Sequence, residues 1–206
     1  VPEEAGTQDE LRRRRAEAEG MRVTMTTTTE PTAAPMIVPD FGDEESDRKL
    51  AIICSKGNLD MVYPALVLGN AAIGEGVELH LFFTFWGFDM IIDSRMDELQ
   101  FSPAGNTAMH FPVRGKDIRI PQAVMPMPGM TGMATKMLKE QLDAMDIPPV
   151  REFLDQIVAA GGQLWACQMS ADMNKVDMDD LYEGVSDIIN AADFIEMTDG
   201  AQLLFI

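Results

Sequence analysis

The chain has 206 residues, 46% of them hydrophobic, with 34 acidic against 16 basic side chains and a formal net charge of −18. That length supports one well-packed core, and the charge repels nucleic acid and anionic membrane surfaces, so nucleic acid is not an expected partner, while an apolar surface resting on a membrane or a protein stays open. Two cysteines make no disulfide framework, and no charged, apolar and small-residue signal pattern opens the chain, so a reducing cytoplasm is expected; the start at Val1 suggests a trimmed or fragmentary chain.

Residues 1–47 differ from the rest. A charged run, "DELRRRRAEAEG", is followed by "TMTTTTEPTAAPMIVPDFGDEESD", rich in Thr and Pro and without an apolar period. The segment reads as a mobile N-terminal arm, and the ordered domain is expected over 48–206. "KLAIICS" (49–55) is a continuous apolar, β-branched run that predicts a strand buried on both faces. Asn58 can cap the helix predicted from "LDMVYPALVLGNAAIGEG", which Gly74 and Gly76 stop and in which Pro64 is tolerated only near the start. "VELHLFFTF" (77–85) predicts a second strand. The apolar stretch "LHLFFTFWGFDMII" (79–92) is too short to span a bilayer and carries His80 and Asp89.

Residues 86–129 lack a period and hold five prolines between Pro103 and Pro128, the pattern of a long insertion at a strand end. Helices follow over 131–147, with Met133, Met137, Leu138, Leu142 and Met145 at helical spacing, and over 148–162, which opens on Pro and stops at Gly. "QLWACQM" (163–169) predicts the third strand, 177–184 a short helix, "VSDII" (185–189) the fourth strand, 190–200 a helix capped by Asn190, and "AQLLFI" (201–206) the fifth strand. Five strands separated by helices give a three-layer α/β/α sandwich with a mostly parallel sheet, of the flavodoxin-like kind.

Parallel sheets gather reactive groups at the carboxyl ends of their strands, and both cysteines fall there. Cys54 sits inside "AIIC" and reads first as a small apolar filler. Cys167 is open between two readings, core filler or reactive thiol. It precedes Gln168, Ser170 and a predicted helix start whose amides could hold an anionic sulfur, with Lys175 the single base among nine acidic residues over 171–199. A flavodoxin-like strand order would make the two cysteine strands neighbours, and a disulfide would then need Cα atoms within about 6 Å. No spacing of His, Asp or Glu resembles a metal site, and no phosphate loop is present, so no cofactor is expected. The methionines of 125–137 could bind Cu(I) through Met125 and Met127, but packing explains them more simply. His80 and His110 have no companions and read as structural and surface groups.

The segments "CSKGNLDMVYPALVLGNAA", "FFTFWGFDM", "MPGMTGMATKMLKEQ", "LWACQMSADM" and the closing "LLFI", in this order, resemble the DsrE/DsrF/DsrH-like proteins, in the soluble branch labelled peroxiredoxin-like. The resemblance covers roughly 49–206. It implies the α/β/α fold, homo-oligomers of three or a multiple, and a sulfurtransferase or sulfur-carrier role in which Cys167 takes up sulfane sulfur as a persulfide. The partner implied is a TusA-like carrier or a rhodanese. Cys167 is the residue carried over; Cys54, where the relatives hold a small residue of another kind, is a second-thiol candidate on its position alone, as Gln168, Ser170 and Lys175 are candidate supports. No peroxidase constellation accompanies the label, since Pro-x-x-x-Thr-x-x-Cys is absent. Two other classes stay open: a noncatalytic oligomeric scaffold, and a Met-rich interaction or Cu(I)-binding module.

Overall fold

The computed structural model describes residues 48–206 except 109, 114, 115 and 120. The arm read from residues 1–47 lies outside the described residues. The first strand, β1 (Lys49–Cys54), leads through a short loop into α1 (Leu59–Gly74) and then β2 (Glu78–Phe83). Two 3₁₀ turns (Phe85–Met90 and Met96–Glu98) and a small hairpin, β3 (Phe111–Val113) with β4 (Lys116–Ile118), occupy the long insertion. Then come α2 (Met130–Asp143), α3 (Val150–Ala159), β5 (Gln163–Cys167), α4 (Gln168–Asn174), a third 3₁₀ turn (Met178–Asp180), β6 (Val185–Ile189), α5 (Ala191–Met197) and β7 (Gln202–Phe205).

The main sheet is parallel throughout, in the order β6-β5-β2-β1-β7. From β1 to β2 to β5 to β6 the chain steps steadily in one direction. Right-handed crossovers therefore put every intervening helix on one face, and only the return from β6 to β7 carries a helix, α5, to the other. The packing agrees. Ile52, Cys54, Leu81, Phe83, Leu164 and Ala166 form one cluster with Leu66 of α1 and Leu154 and Ile157 of α3. Ala51, Phe82 and Cys167 point the opposite way, against Phe194 of α5. The expected three layers are present, one of them only a seven-residue helix thick.

This order separates the two cysteine strands, because β2 runs between β1 and β5. The adjacency that a flavodoxin-like order would give them is absent. The third strand is also shorter than expected: it ends at Cys167, and Gln168 and Met169 already belong to α4. The short helix expected over 177–184 is a single 3₁₀ turn. On α2 the buried positions are Ala134, Thr135 and Leu142, while Met133 on the helix and Met145, past its end, face solvent. The spacing of those methionines was helical, but the packed stripe lies about one residue away from them. Thr135 is fixed there because its hydroxyl accepts from the Phe101 amide at 2.9 Å and donates to the Thr131 carbonyl at 2.8 Å.

The cap expected at Asn190 is made: its side-chain oxygen accepts from the amides of Ala192 at 2.8 Å and Asp193 at 3.0 Å. Asn58 precedes α1 without a side-chain cap. His80, buried in β2, is held structurally. The Trp165 indole can only donate, so the 3.2 Å bond makes Nδ1 the acceptor and leaves Nε2–H to donate to Glu78 at 2.9 Å. His110 is exposed, its ring nitrogen 3.1 Å from the Ala108 carbonyl.

Candidate functional site

Cys167 is the last residue of β5 and the residue that starts α4, in extended backbone with φ −75° and ψ 121°. Strand passes to helix with no loop between. The side chain is 4% exposed and lies among Ala51, Phe82 and Phe194, with Ile53, Trp165, Ile189 and Met197 at the margin. The Phe82 and Phe194 rings stack with centroids 4.4 Å apart, so α5 is fastened over this cluster by an aromatic pair. Cys167 is thus at the edge where such sheets work, but beneath a cover.

Cys54 is on the same edge and the opposite face. Its row runs through Phe83 to Ala166, one residue short of Cys167. Two strand spacings, about 10 Å, and opposed side-chain directions keep the sulfurs apart. Both thiols are free, and burial pushes the Cys54 thiol up to about 12, the mark of an inert core cysteine. The structure does not bring the two thiols together.

Of the supporting residues, Ser170 is the one tied into the edge. It is buried, and its hydroxyl oxygen accepts from the Phe85 amide at 2.8 Å and lies 3.4 Å from the Thr84 hydroxyl. This clasp joins the start of α4 to the exit of β2. Gln168 is exposed and donates to Asp172 at 2.9 Å. Lys175 caps the far end of α4 at φ 57°, about 12 Å from Cys167 by helix rise. Neither contacts the thiol in the hydrogen bonds of the described residues.

Sequence reasoning missed the exit of β2. Phe85 takes φ 48°, a left-handed conformation that a bulky side chain adopts only under constraint. Two glycines supply part of that constraint. A Cβ on Gly87 would overlap the Cys54 carbonyl, and one on Gly57 would overlap the Trp86 carbonyl, so both backbones close onto the 3₁₀ turn. Phe85 and Trp86 are left exposed beside it. The signal available in the sequence was a glycine straight after an aromatic couple, "FWG", with a second glycine in the loop after the first strand, "SKG". Phe194, which covers the thiol, carried no signal beyond helical spacing.

Among the described residues no group of three or more His, Cys, Asp or Glu is arranged to hold a metal ion, and no helix is long and apolar enough to cross a membrane. Met125 is buried and Met127 exposed, so these two thioethers do not share one environment.

The sulfur carrier protein DsrE2 of Allochromatium vinosum is 34% identical over 149 residues, covering 72% of this chain and 91% of that protein. The uncharacterized protein YrkE of Bacillus subtilis is 24% identical over 165 residues, covering 79% of this chain and 99% of the relative. Among solved structures, the YchN protein of E. coli aligns over 77% of this chain and 99% of its own, at 12% identity and a TM-score of 0.39. Residues 46–205, the whole of the sheet and its helices, match one family, and the chain belongs to it: the DsrE/DsrF/DrsH-like family.

Proposed function

We propose that this protein is a sulfur carrier that loads sulfane sulfur onto Cys167 and exchanges it with a partner such as a TusA-like carrier or a rhodanese. The observation that carries the reading is the family match over 46–205, which includes Cys167 at a strand's carboxyl end, together with the likeness to a protein named as a sulfur carrier. The Cys167 thiolate attacks the outer sulfur of a donor persulfide. The donor's S–S bond breaks, its electron pair leaves on the donor thiolate, and Cys167 holds the new persulfide. A partner thiolate attacking that outer sulfur reverses the step, so the relay consumes no oxidant. Cys54, buried on the far face, takes no part.

Exchange requires α5 to yield, since Phe194 and its neighbours cover the thiol. In a homo-oligomer, a trimer or a multiple of it, the face bearing Leu203 and Phe205 of β7 would gain the cover that parallel sheets need; Phe205 is 71% exposed in one chain. A reducing compartment such as the cytoplasm keeps both thiols free for this chemistry.

The test is intact mass after incubating reduced wild type, Cys54→Ser and Cys167→Ser with polysulfide. A reductant-sensitive gain of one sulfur atom in wild type and Cys54→Ser, lost in Cys167→Ser, is the expected result. No adduct on any of the three, with a partner persulfide also tried, overturns the carrier reading. It would favour the second reading, a noncatalytic oligomeric scaffold in which Cys167 is a core filler, for which its burial speaks.

A further inference from the structure

At the carboxyl edge, between the β1–α1 loop and the exit of β2, an open cleft of about 390 Å³ is lined by Gly57, Asn58, Trp86, Asp89, Arg95 and Glu98. Trp86 stands at its wall, 66% exposed. A large apolar side chain on a loosely held loop would need no comment, but this backbone is held from three sides. Gly57 presses on the Trp86 carbonyl, Gly87 on the Cys54 carbonyl, and the Ser170 hydroxyl holds the Phe85 amide at 2.8 Å in a left-handed turn. Strain is therefore stored in a segment that presents an indole to solvent, an arrangement that folding alone does not require.

The surroundings specify the kind of group the indole would meet. Arg95 is already engaged, donating to Asp89 at 2.9 Å and to Asn174 at 3.1 Å, whereas Glu98 has no ion pair among the described residues. An aromatic face beside a free carboxylate suits an ammonium or guanidinium group. Arg95 ties the cleft to the end of α4 at Asn174; on that helix Met169 and Met173 lie one turn apart, both exposed, and residues 168–184 carry five acidic side chains against the single Lys175. Exposed aromatic and Met side chains in an acidic part of the chain suit a basic partner surface. Cys167 begins the same helix.

We propose that this edge, centred on Trp86, docks a protein partner that presents a lysine or arginine side chain beside its own thiol, the cationic side chain entering the Trp86–Glu98 cleft. The partner's thiol rests on the carrier reading above; the cleft's preference for a cation does not. Docking a basic surface here would set a foreign thiol against the sheet edge at which Cys167 ends its strand.

The experiment titrates the full chain at low salt with a short synthetic peptide holding one cysteine among lysines and arginines, and with an equally long peptide in which glutamates replace the basic residues. Saturable binding of the basic peptide alone is expected, weakened about tenfold by Trp86→Ala and by Glu98→Lys. Equal binding of the acidic peptide, indifference to both substitutions, or no binding of the basic peptide up to about 1 mM overturns the proposal. So does a concentration-dependent dimer abolished by Trp86→Ala, which would assign the surface to a second copy. Polysulfide loading of Cys167 is read on the same samples. Absent loading in wild type with Trp86-dependent peptide binding sinks the carrier reading alone; intact loading with Trp86-independent binding sinks the docking surface alone.

Discussion

Cys54 and Cys167 lie on one sheet and on opposite faces, because β5 reaches Cys167 one residue past the row that joins Cys54 to Phe83 and Ala166. The consequence for Cys54 is measurable. Burial holds its thiol protonated up to about 12, against 9.0 for a solvated one. Between those values the native state binds more protons than the unfolded state, so stability is complete below about pH 9 and falls as pH rises, by at most about 1.4 kcal/mol per pH unit. Urea unfolding at about pH 9 and about pH 10.5 should show this slope, and Cys54→Ala should flatten it at a uniform cost of about 1 kcal/mol for the lost sulfur. Tyr63 and Tyr182, also kept protonated mainly by burial, add to the alkaline loss but remain in the variant. An unchanged slope in Cys54→Ala would show that the thiol is not sequestered. The filler reading of Cys54 was legible in "AIIC"; the cover over Cys167 was not, because it is contributed by a helix 27 residues downstream, at Phe194.

That helix, α5, has seven residues and, among the described residues, is the one helix on its face of the sheet. A helix so short has little stability of its own and depends on its cap and on the stacking of Phe194 on Phe82. Asn190 supplies the cap with two amide bonds. Asn190→Ala should cost about 1 kcal/mol and lower Tm by about 3 °C. It should also speed iodoacetamide labelling of Cys167 while leaving Cys54 protected, as read by peptide mass mapping. Faster labelling of Cys54 alone, or of neither, would mean that α5 is not the element that gates the thiol. By contrast α4, packed through Ala171 and clasped to β2 by Ser170, has no such dependence on one cap. The two helices flanking Cys167 thus differ in what holds them, and the one that covers the thiol is held by a cap and an aromatic stack.

Over the whole molecule the formal net charge of −18 sets an electrostatic background that opposes compaction and selects partners. Added NaCl should raise Tm and weaken binding of any basic peptide, with most of both effects complete by about 0.15 M, where the Debye length is about 8 Å. Differential scanning calorimetry in a salt series checks the first, and a Tm that falls with salt would place the surface ion pairs, such as Arg151 with Asp93 and Asp97, above the general repulsion. The sequence by itself determined the succession of the five main-sheet strands and the longer helices between them, the parallel sheet, the cap at Asn190 and the position of Cys167 at a strand end. These follow from local periodicity and turn chemistry, which act over a few residues. Only the tertiary structure decided the strand order that parts the cysteines, the face each one takes, the burial of Cys167 under Phe194, and the strained turn that displays Trp86. Each depends on how segments far apart in the chain register against one another. A one-residue offset across two strand pairings is enough to send two thiols to opposite sides of a sheet.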